Sequence, residues 1–263
     1  MNNPVNEQNV ERFSGFSDLY NTSRPVPPAV IPQIILLYLK NKPEIVVDIG
    51  SGTGLSTVIW KDMARTVVGI EPNDDMRATA EKNTKSDHIM YHKGFSNQTG
   101  LPSCHADLVT VSQAFHWMDI DSTLCEIYRI LREDGVLAIY DCDWPPSVDW
   151  VIEQAYRQLK DKCDDICSAQ KKHAVRNDKS SYIDRINAFG KFRFAREVVC
   201  HATEPCDPLR MIGFALSQGS LQDAVKIEPS IQENIDAFCD LVNVRRGDAF
   251  KIVFSYRVRI AVK

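Results

Sequence analysis

The feature that most constrains this 263-residue chain is the stretch VVDIGSGTG, Val46 to Gly54, in which an apolar run leads into three glycines within five positions. A strand that ends in such a turn leaves main-chain N–H groups open, so a ligand can approach the backbone closely. A turn that needs positive φ for structural reasons alone is the alternative. The neighbouring residues therefore decide whether this turn binds a ligand.

Short apolar runs alternate with stretches of helical spacing through the first 141 residues. We predict strands at EIVVDIG, TVVGIEP, HIMYHKG, ADLVTVSQAF and VLAIY, with a turn at EDG before the last of them. Helices are predicted at LSTVIWKDMA, DDMRATAEKN and STLCEIYRILR. This order of elements is typical of an α/β fold with a doubly wound, mostly parallel sheet.

The pattern changes after residue 147. Residues 148–190 are polar, have helical spacing, and predict a helical cap over the sheet. Residues 191–263 predict the strands and helices that complete the sheet. The last segment, KIVFSYRVRIAV, alternates strictly, which predicts an antiparallel strand whose partly wet face carries Arg257 and Arg259.

Composition and charge narrow the class of protein. Hydrophobic residues at 44% and charged residues at 25% are typical of a globular enzyme. The net charge is −4, and basic side chains exceed acidic ones only in residues 151–263. We therefore expect no nucleic-acid partner. A small-molecule substrate is expected instead, and an anionic one if it binds against the basic half of the chain. No signal peptide or membrane span is recognised, which predicts a cytoplasmic protein without a membrane partner.

The eight cysteines are expected to be free thiols, because no secretory signal accompanies them. Cys163 and Cys167 are four residues apart and would share a helix face, with His173 nearby. A structural zinc site needs about four ligands, and no second pair at suitable spacing follows. We therefore expect no metal.

Two acidic residues indicate the class of ligand at the glycine turn. Asp48 precedes the glycines by two positions, where a carboxylate would repel a pyrophosphate and attract an ammonium group. Glu71 ends the next predicted strand, where an acid can accept both hydroxyls of a ribose. The spacing G-x-G-x-G also differs from the dinucleotide fingerprint G-x-G-x-x-G. A ligand with a ribose and an ammonium group but no phosphate is S-adenosylmethionine.

Six motifs between Tyr20 and Tyr140 occur in the order YNTSRPVPP, VVDIGSGTG, VVGIEPNDDM, HKGFSNQTGLP, ADLVTVSQAFHWMD and LREDGVLAIY. In these motifs the chain resembles class I S-adenosylmethionine-dependent methyltransferases, specifically the small-molecule type 11 branch that includes trans-aconitate methyltransferase-like proteins. The resemblance implies one Rossmann-like methyltransferase domain with a seven-stranded sheet. It also implies an N-terminal lid and first helix at residues 1–40 and a cofactor-binding core at residues 41–147.

The resemblance implies roles for individual residues of these motifs. Tyr20 and Arg24 would belong to the lid, and Gln113 and Ala114 would lie beside the sulfonium of the cofactor. The glycine turn would hold the methionine part. The cofactor-binding residues implied there are Asp48, Gly50, Ser51, Gly52, Thr53 and Gly54.

The adenosine part is implied to lie against the ends of the second and third strands. The residues implied there are Glu71 at the ribose, Pro72 and Met76 on either side of the adenine, and Phe95 and Ser96 at the adenine edge. The family commonly has an acid or an amide at the position of Ser96. Ser96 departs from that pattern, and the neighbouring Asn97 is the alternative donor.

His116 and Trp117 follow the fourth predicted strand, where the crevice of an open parallel sheet faces its ligands. A histidine beside a tryptophan is often simply packed. At this position, however, His116 is a candidate catalytic base that takes a proton from the acceptor, and Trp117 is a candidate wall of the substrate pocket.

The predicted activity is methyl transfer from S-adenosylmethionine to an oxygen or nitrogen of a small molecule, a carboxylate included. Little acid–base chemistry is required of the protein, because the sulfonium carries its own leaving group. Two alternatives stay open: a non-catalytic S-adenosylmethionine-binding protein that acts through a partner, and an NAD-dependent oxidoreductase on a similar sheet.

Overall fold

A computed structural model describes Val10, residues 21–169 and residues 176–263. The predictions that concern Tyr20 and His173 lie outside the described residues. Within the described part, a seven-stranded sheet is covered by helices, and buried side chains form two clusters, one on each face.

Five parallel strands form the first part of the sheet. They are β1 (Ile45–Ile49), β2 (Thr66–Ile70), β3 (Ile89–His92), β4 (Ala106–Ser112) and β5 (Leu131–Cys142). Two longer strands complete it, β6 (Phe194–Cys206) and β7 (Phe250–Val262). Their order is β3-β2-β1-β4-β5-β7-β6, and β7 pairs antiparallel with both β5 and β6. The predicted mostly parallel sheet with an antiparallel C-terminal strand is confirmed.

The strand order reverses between β1 and β4. β2 and β3 extend the sheet from one side of β1, whereas β4 and β5 extend it from the other side. In an open α/β sheet, the connections that leave such a pair of strands diverge to opposite faces, and a crevice opens at the carboxyl ends of the strands. The glycine turn and the QAFHW segment both leave the sheet at this crevice.

Half of the helices named below begin at a capping side chain. The carboxylate of Asp119 accepts a hydrogen bond from the backbone N–H of Ser122, and Asp149 and Asp207 cap two further helices in the same way. The helices whose bounds fall within the described residues are α1 (Val30–Leu36), α2 (Asp74–Asn83), α3 (Ile120–Ile130), α4 (Trp150–Ser168), α5 (Tyr182–Phe189), α6 (Pro208–Leu216), α7 (Gly219–Ile227) and α8 (Gln232–Arg245). None of the described helices is long and apolar enough to span a bilayer.

The segment 148–190 holds α4 and α5, and no described residue in it forms a strand. Helix α4 packs against α7 and α8, which come from residues 219–245. Its buried face includes Tyr156, Cys163 and Cys167. The helical layer above the crevice therefore draws on two separated parts of the chain, and the boundaries at 148 and 190 stay a prediction.

The cysteines, all of which fall in the described part of the chain, are free thiols. Among the described residues, no group of three or more histidine, cysteine, aspartate or glutamate side chains is arranged to hold a metal ion.

The prediction of a helix at LSTVIWKDMA was wrong. Residues 51–64 form a series of turns with a short 3₁₀ helix at Val58–Trp60. Three successive β-branched residues, Thr57 to Ile59, have low helix propensity because their χ1 rotamers are restricted. In addition, the side chains of Ser56 and Thr57 donate hydrogen bonds to Asp48, which binds this segment to the sheet.

Two further expectations are corrected at β5 and β7. The predicted EDG turn lies within β5 as an irregularity, where Asp134 has φ +64° and the register against β4 shifts. On β7, Arg257 is half-buried, but Arg259 is only 1% exposed and does not face water. The reason is the position of β7 between β5 and β6, where Arg259 forms ion pairs with Asp141 and Glu197.

Candidate cofactor and acceptor site

Three adjoining cavities occupy the crevice at the carboxyl ends of β1 and β4. The first is lined by Val10, Gly50, Gly52, Glu71, Pro72, Met76, Gly94, Phe95, Ser96, Ser112, Gln113, Ala114, Trp117 and Met118. The second is lined by Arg24, Pro25, Pro27, Gly50, Ser51, Gly52, Thr53, Leu55, Ser56, Ser112, Gln113, Cys142 and Trp144. The third is lined by Arg24, Gln113, His116, Trp117, Trp144, Arg176, Lys179, Gln218, Gly219 and Ser220. Most of the predicted site residues are thus brought together around one crevice.

The three glycines of the turn all have positive φ, between +54° and +88°, but their surroundings differ. A methyl group on Gly50 would lie 2.6 Å from the Cβ of Ala114, so this glycine permits close packing. A methyl group on Gly54 would overlap the hydroxyl of Tyr91. At Gly52, by contrast, nothing described lies within 4 Å of the added methyl. Gly52 therefore keeps cavity space open, whereas Gly54 lines none of the three cavities and serves packing.

The carboxylate of Asp48 is fully buried and lines none of the three cavities. Its Oδ2 accepts hydrogen bonds from the hydroxyls of Ser56 and Thr57, and its Oδ1 accepts one from Thr110, each at 2.7 Å. Burial raises the pKa of Asp48, and the three hydroxyl donors oppose that rise. The prediction that Asp48 faces the ligand's ammonium is corrected, because its carboxylate lines none of the cavities and accepts its hydrogen bonds from β4 and from the segment after the turn.

Glu71 lies at the rim of the first cavity and is nearly buried. Its Oε2 accepts a hydrogen bond from the backbone N–H of Gly52 at 2.9 Å, and its Oε1 accepts one from Asn73 at 2.9 Å. Burial raises the pKa of Glu71 to about 7, although both backbone donors favour the charged form. Each oxygen retains acceptor capacity for a hydroxyl presented from the cavity.

The far end of the first cavity is apolar. Pro72, Met76 and Phe95 line it, as the resemblance implied. Ser96 also lines it, and its hydroxyl forms a 2.8 Å hydrogen bond with the hydroxyl of Thr123. Asn97 is exposed and is not part of the lining, so the structure does not support it as the alternative donor.

Gln113 lines all three cavities and has an unusual backbone. Its φ is +54°, in the left-handed region that costs a non-glycine residue about 1 kcal/mol or more. Its backbone N–H donates to the carbonyl of Tyr140 at 3.1 Å. This conformation ends β4 and places the side-chain amide where the three cavities meet.

Cationic side chains surround the third cavity. The guanidinium of Arg24 lies 4.8 Å from the ring centroid of Trp144, and that of Arg176 lies 5.1 Å from the ring centroid of Trp117. Lys179 extends from the segment before α5. All three charged side chains among the described lining residues are cations. Lys179 is paired with the buried Asp141, but the cavity lining itself carries cations and no described carboxylate, which favours an anion.

His116 is part of the third cavity and not of the first. It lies in a 3₁₀ turn, Phe115–Trp117, directly after β4, and its ring centroid is 4.7 Å from that of Trp117. The backbone N–H of Asn177 donates to the carbonyl of His116 at 2.9 Å, which ties this turn to the segment that carries Arg176. His116 is thus separated from the ligand groups that Glu71 would bind.

Sequence reasoning missed several lining residues. Trp144, Arg176, Lys179 and Gln218 line the third cavity but lie outside the recognised motifs. The excess of basic residues after position 150 was a signal for Arg176 and Lys179, but it gave none for Trp144 or Gln218. Tyr20, which the resemblance implied, lies outside the described residues.

The comparisons with known proteins agree with this geometry. Residues 47–139 match the methyltransferase domain family. A protein of Dictyostelium discoideum named as a methyltransferase is 33% identical over 130 residues, 49% of this chain and 48% of the relative. A protein of Saccharomyces cerevisiae named as an S-adenosylmethionine-dependent methyltransferase is 32% identical over 136 residues, 50% of this chain and 47% of the relative. Residues 47–139 are a methyltransferase domain.

The chain spans about half the length of the curated relatives it matches. Among solved structures, one described as a type II methyltransferase of Anaeromyxobacter dehalogenans superposes with a TM-score of 0.66 at 15% identity, over 91% of this chain and 97% of that one. This likeness shows the fold. The finer trans-aconitate branch stays a prediction.

S-adenosylmethionine is the cofactor of this domain family, and the residues present fit it. The hydroxyls of Ser51 and Thr53 are buried at the second cavity without a hydrogen-bond partner among the described residues. A ligand with polar groups would satisfy them. Gly52 leaves room beside the backbone, and Glu71 offers a carboxylate at the adjoining rim. The methyltransferase domain therefore has both a polar cradle and an apolar end for this cofactor.

The glycines give a matched prediction. Gly52→Ala should lower the free energy of unfolding by only about 1–2 kcal/mol, since the added methyl meets no described atom, but should weaken S-adenosylhomocysteine binding about tenfold or more. Gly54→Ala should lower the free energy of unfolding by about 3 kcal/mol, because the strain of positive φ and the overlap with Tyr91 both contribute. Denaturant unfolding and calorimetry measure these effects. Tyr91→Phe should recover part of the Gly54→Ala loss, and no recovery would contradict the overlap.

The raised pKa of Glu71 gives a pH prediction. Ribose hydroxyls donate to the carboxylate, so the ionised form binds better and binding must displace the proton that Glu71 holds below about pH 7. We expect the affinity for S-adenosylhomocysteine to rise between pH 6 and pH 8, by up to about tenfold per unit on the acid side. In Glu71→Gln the affinity should be lower and flat over this range. A flat profile in the unmodified protein would place the ribose elsewhere.

Proposed function

We propose that this protein transfers the methyl group of S-adenosylmethionine to a small, negatively charged acceptor bound in the third cavity. The observation that carries the proposal is the charge of that cavity: Arg24, Arg176 and Lys179 are the charged side chains among its described lining residues. The third cavity adjoins the first at Gln113 and Trp117, so an acceptor there is next to the cofactor.

The first and second cavities would hold the cofactor. Glu71 would bind the ribose, Pro72 and Met76 would contact the adenine, and the backbone around Gly52 would bind the methionine part. When bound, S-adenosylmethionine supplies an electrophilic methyl group and its own leaving group. The contribution of the chain is to orient the acceptor against the methyl group and to exclude water.

Trp117 and Trp144 would fix the two arginines for recognition of the acceptor. A guanidinium that lies near the face of an indole has reduced freedom and can still bind a carboxylate through its N–H groups. Arg24 also donates from Nη2 to the carbonyl of Ser217 at 3.0 Å, which fixes its position further. One relative, 26% identical over 138 residues, is the malonyl-[acyl-carrier protein] O-methyltransferase of Serratia marcescens. A malonyl group carries a carboxylate, which is consistent with a carboxylate acceptor here.

His116 would contact the acceptor, and the acceptor decides its role. A carboxylate is ionised at neutral pH and needs no base, so the imidazole would orient it by donating a hydrogen bond. A hydroxyl or an amine would need His116 as a general base. We therefore assign His116 to acceptor orientation within this proposal.

The acceptor class is tested with paired compounds. Small carboxylic acids and the corresponding amides are each incubated with the protein and S-adenosylmethionine. Mass spectrometry should detect methylation of the acids and none of the amides. Arg176→Met should raise the acceptor KM about tenfold or more and leave S-adenosylhomocysteine affinity unchanged. Arg185→Met is the matched control, because Arg185 pairs with Asp121 and does not line the cavities. Methylation of the amides, or equal effects of both variants, would contradict an anionic acceptor.

His116→Ala should leave S-adenosylhomocysteine affinity within about threefold, since His116 does not line the first or second cavity, yet lower turnover by about tenfold or more. His116→Asn, which keeps a donor, should retain more turnover than His116→Ala. Rates measured from pH 5.5 to 8 decide the role. Imidazoles ordinarily titrate near pH 6.5. A rate that falls with acid through this range, and only when His116 is present, would identify a base and a neutral acceptor.

A further inference from the structure

An ion pair between Asp141 and Lys179 lies next to Gln113, the residue that lines all three cavities. Asp141, near the end of β5, is 1% exposed. Its Oδ1 lies 2.9 Å from Nζ of Lys179, and its Oδ2 accepts a hydrogen bond from Nη1 of Arg259 at 3.0 Å. Nζ of Lys179 also donates to Oε1 of Gln113 at 3.0 Å. The charge of Lys179 is thus one amide away from the point where the three cavities meet.

Both ends of Lys179 are held by this network. Nη2 of Arg259 donates to the backbone carbonyl of Lys179 at 3.1 Å. The Nε of Arg259 lies 2.6 Å from Oε2 of Glu197 on β6, a carboxylate whose Oε1 also lies 3.2 Å from Nη1 of Arg257. Asp141 is thus shared between Arg259 and Lys179, and among the described residues it is the carboxylate that lies within ion-pair distance of Lys179. Burying an ionised carboxylate to this depth costs free energy unless the carboxylate pairs with specific positive charges.

The cofactor and the product formed from it differ by one positive charge, which lies on the sulfur atom. S-adenosylmethionine has a sulfonium cation, and S-adenosylhomocysteine has a neutral thioether in its place. Gln113 lines all three cavities, so the sulfonium lies beside it if the methyl group is to face the third cavity. If the ammonium of Lys179 beside Gln113 were not compensated, it would weaken binding of the cationic cofactor and leave binding of the neutral product unchanged.

We propose that the Asp141–Lys179 ion pair sets the discrimination between S-adenosylmethionine and S-adenosylhomocysteine. Asp141 cancels the Lys179 charge on the cofactor side, so that a lysine serving the acceptor cavity does not penalise the cationic cofactor. The pair thereby sets how strongly the product competes with the cofactor. This proposal rests on the placement of the sulfonium beside Gln113 in the proposed function.

The test is the ratio Kd(S-adenosylmethionine)/Kd(S-adenosylhomocysteine), measured by calorimetry at low salt without any acceptor. Asp141→Asn leaves Lys179 uncompensated and should raise the ratio about fivefold or more. Lys179→Met removes the repelling charge and leaves Asp141, so the ratio should fall, by about threefold. The double variant should return close to the original ratio.

Asp143→Asn is the matched control. Asp143 lies two residues further along the chain, is 46% exposed, and pairs with Arg257. Its ratio should stay unchanged. Should Asp141→Asn fail to fold, Lys179→Met decides alone, since Lys179 is 25% exposed and its loss is better tolerated. An unchanged ratio in Lys179→Met, or shifts of both single variants in the same direction, overturns the proposal.

A purely structural role for the pair would weaken both ligands equally and leave the ratio constant. Failure of the proposed acceptor is a separate outcome: carboxylic acids would not be methylated, and the two dissociation constants would still be measurable.

Discussion

The crevice depends on one buried carboxylate. The oxygens of Asp48 accept hydrogen bonds from Thr110 on β4 and from Ser56 and Thr57 beyond the glycine turn. The end of β1 is thereby joined to the neighbouring strand and to the segment that leaves the turn. Because burial raises the pKa of Asp48, the carboxylate needs these donors to remain compatible with the core. Three left-handed glycines can follow because both ends of the turn are fixed.

Much of this architecture could be predicted from the sequence because it depends on local patterns. Buried parallel strands read as apolar runs, and a left-handed turn needs glycine, so β1, the turn and the crevice were predictable. Glu71, Pro72 and Met76 follow the second strand in sequence, and strand order then places them at the rim. Asp48 shows the limit of this reasoning, because position along a strand does not say which way a side chain forms its hydrogen bonds.

The rest depends on contacts between distant segments. The cavity proposed for the acceptor combines Arg24 and Gln113, which belong to two separate motifs, with Arg176, which belongs to none. The helix expected after the glycine turn failed because Ser56 and Thr57 bond to Asp48 instead of a helical backbone. Arg259 was expected to face water because apolar and polar residues alternate along β7. In the structure β6 pairs with β7, and the charge of Arg259 is compensated by Asp141 within the sheet. Tertiary pairing, not local propensity, fixed each of these outcomes.

The distribution of charge follows from the reaction proposed for this site. Transfer of a methyl group from a sulfonium to a carboxylate removes two opposite charges, so the reactants are more polar than the transition state. Cations that bind the acceptor strongly would stabilise the reactants most, and such binding does not accelerate the chemical step. Compensation of Lys179 by Asp141 limits this effect while it keeps an N–H donor in place. In the proposed reaction, the two arginines near the tryptophan rings would bind the acceptor, and the surroundings of Gln113, where the methyl group would pass, would stay close to neutral.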